Sequence, residues 1–129
     1  MARWKSRTLT EGELDFMRVL WNKGEANPDD IQDALSGQGR PVTGGTVRNV
    51  LAVLMEKKYV ARRKLGKTHL YRAAVNESQA LREMARELLS KAFGGSESLL
   101  VASLLKDREV NPDELAEIER LIEERKRGE

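Results

Sequence analysis

The run Tyr59-Val60-Ala61-Arg62-Arg63-Lys64-Leu65-Gly66-Lys67-Thr68-His69-Leu70-Tyr71-Arg72 decides how this chain folds. Before it, apolar residues recur at helical spacing. From Tyr59 the period becomes two, with strands on either side of the turn Leu65-Gly66-Lys67, which is the pattern of a β-hairpin. The hairpin is strongly basic, so its outer surface suits a polyanion.

Working outward toward the N-terminus, the segment ahead of the hairpin reads as a helix capped by Thr43, with Val47, Val50, Leu51 and Leu54 turned inward. A shorter helix precedes it. Asn27 is its cap, Pro28 occupies the first helical position and Asp29 and Asp30 oppose the dipole, while Ile31, Ala34 and Leu35 supply the apolar stripe before Ser36-Gly37-Gln38-Gly39. The first helix starts at Leu9-Thr10-Glu11-Gly12-Glu13-Leu14. Thr10 and Glu13 have the spacing of a capping box, Leu9 and Leu14 that of a hydrophobic staple, and Lys23-Gly24 marks the end. Its buried face is expected from Leu14, Met17, Val19, Leu20 and Trp21. Three helices followed by a hairpin is the order of a winged helix-turn-helix, assigned here to residues 1–75 of a mainly α (α+β) chain.

Beyond the hairpin, Asn76-Glu77-Ser78-Gln79 has the form of a second capping box, opening a helix with Leu81, Met84, Leu88 and Leu89 along one side and closing at Phe93-Gly94-Gly95. Further helices are expected over 97–106 and after Asn111-Pro112-Asp113-Glu114. Short amphipathic helices of this size have too little bulk to bury one another. Residues 76–129 are therefore read as a helical dimerisation region, with Leu81, Met84, Leu88, Leu100, Leu104, Leu115, Ile118, Leu121 and Ile122 meeting an identical chain.

Charge divides along the same line. Residues 1–75 hold 14 Lys/Arg against 8 Asp/Glu, and residues 76–129 hold 9 against 13, so a basic half precedes an acidic one. Between Arg40 and Arg72 there are nine Lys/Arg and one acid, Glu56. The expected partner is double-stranded DNA. Thr43, Gly44, Gly45, Thr46, Arg48 and Asn49, outside the apolar stripe near the start of the third helix, are suited to bases and nearby phosphates; Arg62, Arg63, Lys64 and Lys67 on the wing are suited to the backbone.

Other chemistries are poorly supplied. The chain has no cysteine and one histidine, His69, which has no companions for a metal site or a catalytic triad. Asp29-Asp30 is a helix start, and no phosphate-binding glycine loop is visible. No metal, cofactor or enzymatic activity is expected. Trp4 and Trp21 read as packing residues, and Arg3, Lys5 and Arg7 as a frayed terminus. MARWKSR passes into polar sequence without an apolar run, so the expectation is a soluble, cytoplasmic protein with no membrane insertion. The alternative at this level is a winged-helix protein-interaction module whose basic face meets an acidic partner.

Leu9-Thr10-x-x-Glu13-Leu14 through Val19-Leu20-Trp21, then Thr46-Val47-Arg48-Asn49-Val50-Leu51 with Leu54 and Lys57, then Tyr71-Arg72, resembles the penicillinase-repressor (BlaI/MecI/CopY) family of winged-helix repressors. In the tail, Gly94-Gly95, Ser98-Leu99-Leu100-Val101 and Asp113-Glu114-Leu115-Ala116-Glu117-Ile118 are similar to that family's dimerisation region. The resemblance implies a homodimer on a pseudo-palindromic operator, repressing a resistance or stress operon. For antibiotic-responsive members it also implies a membrane sensor metalloprotease and cleavage within the dimerisation helices, at a bond matching Ser103-Leu104 here. Copper-responsive members carry paired cysteines that this chain lacks. It also departs from the pattern at Gly44-Gly45, at Ala52-Val53 and at Lys58, which stands where a helix-ending glycine is usual.

Overall fold

The computed structural model describes residues 7–106 and 109–128. Trp4, Arg3 and Lys5 lie outside the described residues. The order is α1 (Glu11–Lys23), α2 (Pro28–Gly37), α3 (Gly44–Glu56), β1 (Val60–Leu65), β2 (Thr68–Ala73), α4 (Glu77–Phe93), α5 (Glu97–Lys106) and α6 (Pro112–Arg127). Among the described residues no single helix is long and apolar enough to cross a membrane. They form two compact units that divide within α4, after Glu87.

In the first unit, local chemistry sets the helix ends as the sequence suggests. Thr10 accepts from the Glu13 amide while Glu13 accepts from the Thr10 amide, completing the capping box, and Gly24 ends α1 at φ 86°. Asn27 and Thr43 cap α2 and α3. Leu14, Phe16, Met17, Val19 and Leu20 of α1 meet Ile31 and Leu35 of α2 and Val47, Leu51 and Leu54 of α3 in one core. Burial of each large side chain contributes roughly 1.5–3 kcal/mol. Phe16 falls outside the expected stripe. It is buried at i, i+3 and i+4 spacing with Val19 and Leu20, and the Arg40 guanidinium lies 6.0 Å from its ring centroid. Trp21 is half-buried rather than fully inside, its indole N–H donating to the Val75 carbonyl at 2.9 Å.

The hairpin is antiparallel with Arg62 opposite Tyr71 and Leu65 opposite Thr68, around a two-residue turn whose Gly66 has φ 63°. It is attached to the helices through the 25–26 segment. The Ala26 amide donates to the Tyr71 carbonyl at 3.0 Å and the Tyr71 amide to the Ala26 carbonyl at 2.8 Å, a third short strand in all but length.

The first half of α4 also packs on this unit. Ala80 is fully buried and Met84 partly so. The Tyr59 hydroxyl donates to Glu83 at 3.1 Å, and the Thr8 amide donates to Glu87 at 3.1 Å. Burial first, and the Glu83 carboxylate second, push the Tyr59 phenol up to about 12. Asn76 accepts from the Gln79 amide, so the forward half of the expected capping box forms, without a return bond from Gln79 among the described residues.

In the second unit Gly94 and Gly95, at φ 56° and 83°, turn the chain after α4, Ser96 caps α5, and Asn111 caps α6 ahead of Pro112. Neither α5 nor α6 buries a residue.

The end of α3 is closed by a Schellman motif. The Tyr59 amide donates to the Leu54 carbonyl at 2.9 Å and the Lys58 amide to the Met55 carbonyl at 3.0 Å. This places Lys58 at φ 70°, the one non-glycine residue with positive φ among those described. Here the departure from a glycine at this position has a conformational cost, since a Cβ in the left-handed region is unfavourable by roughly 1–2 kcal/mol. Lys58→Gly is expected to raise stability by about 1 kcal/mol, read as a higher urea midpoint at unchanged slope.

Candidate nucleic-acid interface

α2 and α3 form a helix-turn-helix whose connection is held from both sides. Gln32 on α2 donates to the Val42 carbonyl at 2.9 Å. Arg40 crosses to α1, pairing with the Asp15 carboxylate and approaching the Gly12 carbonyl at 3.4 Å. These contacts fix where α3 begins. Thr43 then accepts from the Thr46 amide at 3.1 Å and donates its own hydroxyl to Thr46 Oγ1 at 2.9 Å, so both threonine hydroxyls stay at the exposed mouth of the helix.

The residues expected to read DNA lie together there. Thr43, Gly45, Thr46, Arg48 and Asn49 are exposed, and Gly44 is half-buried beside Arg48 and Gln32. Neither glycine is demanded by the fold. Both have ordinary helical backbone; a Cβ at Gly44 would sit 3.5 Å from Arg48 Nη1, and one at Gly45 would meet only Thr43 Oγ1 at 3.9 Å.

From the opposite side the hairpin contributes Arg62 and Tyr71. With Arg48, Ala52 and Met55 they line an open cleft of about 310 Å³ between α3 and the wing. Arg48 brings a guanidinium from α3 and Arg62 one from β1. The Arg62 Nη1 lies 3.5 Å from the Tyr71 hydroxyl oxygen. No carboxylate stands within ion-pair distance of Arg48, Arg62, Lys64 or Lys67 among the described residues.

Other cations in the same basic window behave differently. Lys57 has a side chain only 11% exposed and is held by Glu13 at 2.7 Å and the Thr8 carbonyl at 2.9 Å. Arg40 is committed to Asp15. Arg63 donates from Nε and Nη2 to the two oxygens of Glu25 at 2.8 and 3.0 Å. The hydrogen bonds from Arg63 are the main reason the Glu25 carboxyl sits below its usual range, and the charge of Arg72 adds to the effect. The acids responsible, Glu13, Asp15 and Glu25, all precede the window in sequence. Only the fold brings them to it. His69 is half-buried on β2, and no group of metal-ligating side chains exists among the described residues.

Among the residues expected at a dimer interface, Leu81, Leu88, Leu104, Leu115, Leu121 and Ile122 are exposed, and Leu100 and Ile118 are half-buried within the second unit. Met84 faces the core of the first unit instead.

Comparison with known proteins bears on this arrangement. The family model described as Penicillinase repressor matches residues 9–124. The chain is 23% identical over 118 residues to the methicillin resistance regulatory protein MecI of Staphylococcus aureus (strain Mu50 / ATCC 700699), covering 92% of this chain and 95% of MecI. It is 24% identical over 118 residues to the penicillinase repressor of Staphylococcus aureus, covering 92% and 93%. Among solved structures it is similar to the DNA-binding domain of the repressor BlaI, at TM-score 0.50 and 24% identity over 59% of this chain and 92% of that one. That likeness confirms the winged-helix fold.

Because nothing in the fold requires glycine at the second position of α3, Gly45→Ala is expected to stabilise the protein by about 0.5–1 kcal/mol, measured by chemical denaturation.

Proposed function

Since this chain belongs to the penicillinase repressor family, matched over residues 9–124, we propose that it is a transcriptional repressor that binds a pseudo-palindromic operator as a homodimer. α3 reads the major groove and the wing holds the flanking backbone. The carrying observation is the exposed start of α3 facing the wing across a cleft, with Arg48 on one wall and Arg62 on the other. Arg48 and Asn49 have the chemistry to bond guanine and adenine edges. Lys64 and Lys67 neutralise phosphates. Gly44 and Gly45 keep the first turn of α3 bare of side chains, which lets a phosphate approach its amides.

Dimerisation through the 76–129 region is supported by the apolar surface of the second unit, where Leu104 is 57% exposed, Leu121 51% and Ile122 47%. Such side chains gain from burial against a second copy. A two-fold dimer sets two copies of α3 about 34 Å apart, one turn of DNA. Cleavage at Ser103-Leu104 by a membrane sensor metalloprotease is carried over from the family. Both residues are exposed on α5, and the Ser103 hydroxyl donates to the Leu99 carbonyl at 2.9 Å. The bond lies within a helix that buries nothing, so local unwinding of α5 exposes an extended chain at small cost.

Anisotropy titration against DNA from upstream of the protein's own gene, beside a scrambled duplex at equal salt, tests the reading. A preference of about a thousandfold supports it, and equal affinity for the two duplexes counts against it. In the same assay Arg48→Ala is expected to cost roughly 1–3 kcal/mol on the preferred duplex and to relax the preference, whereas Lys64→Ala weakens both duplexes alike. Sedimentation equilibrium is expected to give a dimer for the native chain and a monomer for the Leu104→Glu, Leu121→Glu double variant. A native chain that is monomeric at micromolar concentration would overturn the dimer.

A further inference from the structure

We propose that Glu25 acts as an intramolecular stand-in for a DNA phosphate, withholding Arg63 from nucleic acid and so lowering the sequence-independent affinity of the wing. This deepens the DNA-binding reading above and rests on it.

Strand register supplies the first reason. Side chains of paired residues share a face and alternate along each strand. With Arg62 opposite Tyr71 and Lys64 opposite His69, Arg62 and Lys64 share the face that carries Tyr71 and borders the cleft against α3. Arg63 lies opposite Leu70, and Arg72 opposite Ala61, which puts both arginines on the other face. The run Arg62-Arg63-Lys64 is thus divided between two surfaces.

The second reason is the geometry of the pair. Two parallel N–H bonds at 2.8 and 3.0 Å onto two carboxylate oxygens form the same fork that arginine offers to a phosphate. Glu25 fills the donors that a backbone phosphate would use.

The third is that Glu25 is held in place. It adjoins Ala26, whose backbone is bonded in both directions to Tyr71 of β2, so the carboxylate is anchored to the wing it neutralises and not borne on a loose loop. Arg72 reinforces its charged state. A phosphate seeking Arg63 must displace an anion that is always present.

The pair is exposed to solvent, so the restraint is graded: the expected effect is about two- to fivefold in affinity. The test uses the full-length protein and a scrambled duplex, titrated over a series of salt concentrations. Glu25→Gln is expected to bind about two- to fivefold more tightly, with the salt dependence steeper by about one. In an Arg63→Ala background the same substitution is expected to change affinity by much less, because there is no longer an arginine to release. If Glu25→Gln strengthens binding equally in both backgrounds, Glu25 acts only through its general negative field and the proposal fails. It fails also if Glu25→Gln weakens binding, which would mean that Glu25 orients Arg63 toward the phosphate. Failure of the native chain to bind either duplex would instead remove the repressor reading itself. Matching thermal unfolding curves for the variants keep these outcomes separate from misfolding.

Discussion

Lys57 reaches from the end of α3 to the start of α1 and ties the two helix ends together. Its ammonium donates to Glu13 and to the Thr8 carbonyl, both in a region where the two charged side chains are only 11% and 12% exposed. The Glu13 oxygen that receives it also accepts the Thr10 amide, so one carboxylate serves the capping box and the ion pair together. Thr8, whose carbonyl is the other acceptor, passes its own amide to Glu87 on α4. A pair so far from water gains little net stability over an apolar substitute, because desolvation offsets attraction. What it does strongly is discriminate: any arrangement that separates Lys57 from Glu13 leaves a largely buried charge without its partner.

The DNA-facing elements depend on this frame. α3 is held at its far end by Lys57 and the Schellman motif, and its near end is positioned by Arg40 and Gln32 through the connection from α2. What remains outside is the first turn and the face bearing Arg48 and Asn49. The wing is fixed by backbone bonds from Ala26 to Tyr71, so its register, and with it which cations share the cleft, is set by main-chain geometry. A one-residue slip would exchange the two faces. In effect the basic window holds two kinds of cation, those tied to carboxylates within the fold and those beside the cleft with no carboxylate partner among the described residues.

The second unit follows different physics. α5 and α6 are well capped, and the Glu117–Arg120–Glu124 ladder supports the outer side of α6, yet neither helix buries a side chain. Local stability of this kind leaves the apolar stripe unspent. It is the same stripe that the sequence shows as a recurrence of Leu and Ile, and its exposure gives a physical motive for association.

How much of this was legible in the chain itself depends on the range of each signal. Caps, staples, turn glycines and the switch of period at Tyr59 are written within a few neighbouring residues. The helix order, the hairpin and the start of α3 after its cap Thr43 could therefore be read without coordinates, while the departure at Lys58 was visible only against the family pattern. Phe16, missed in the sequence reading, was legible as core from its i, i+3 and i+4 spacing with Val19 and Leu20, whereas the approach of the distant Arg40 to its ring was not. Nor was the division of the basic residues: Lys57 with Glu13, Arg40 with Asp15 and Arg63 with Glu25 join positions 44, 25 and 38 residues apart. The sequence by itself determined which elements form and which stretch is basic, since those follow from local propensity and period. Tertiary structure alone decided which of the cations face outward toward a ligand, because an ion pair depends on distance in space, and that distance is fixed only when α1, α3 and the wing have packed.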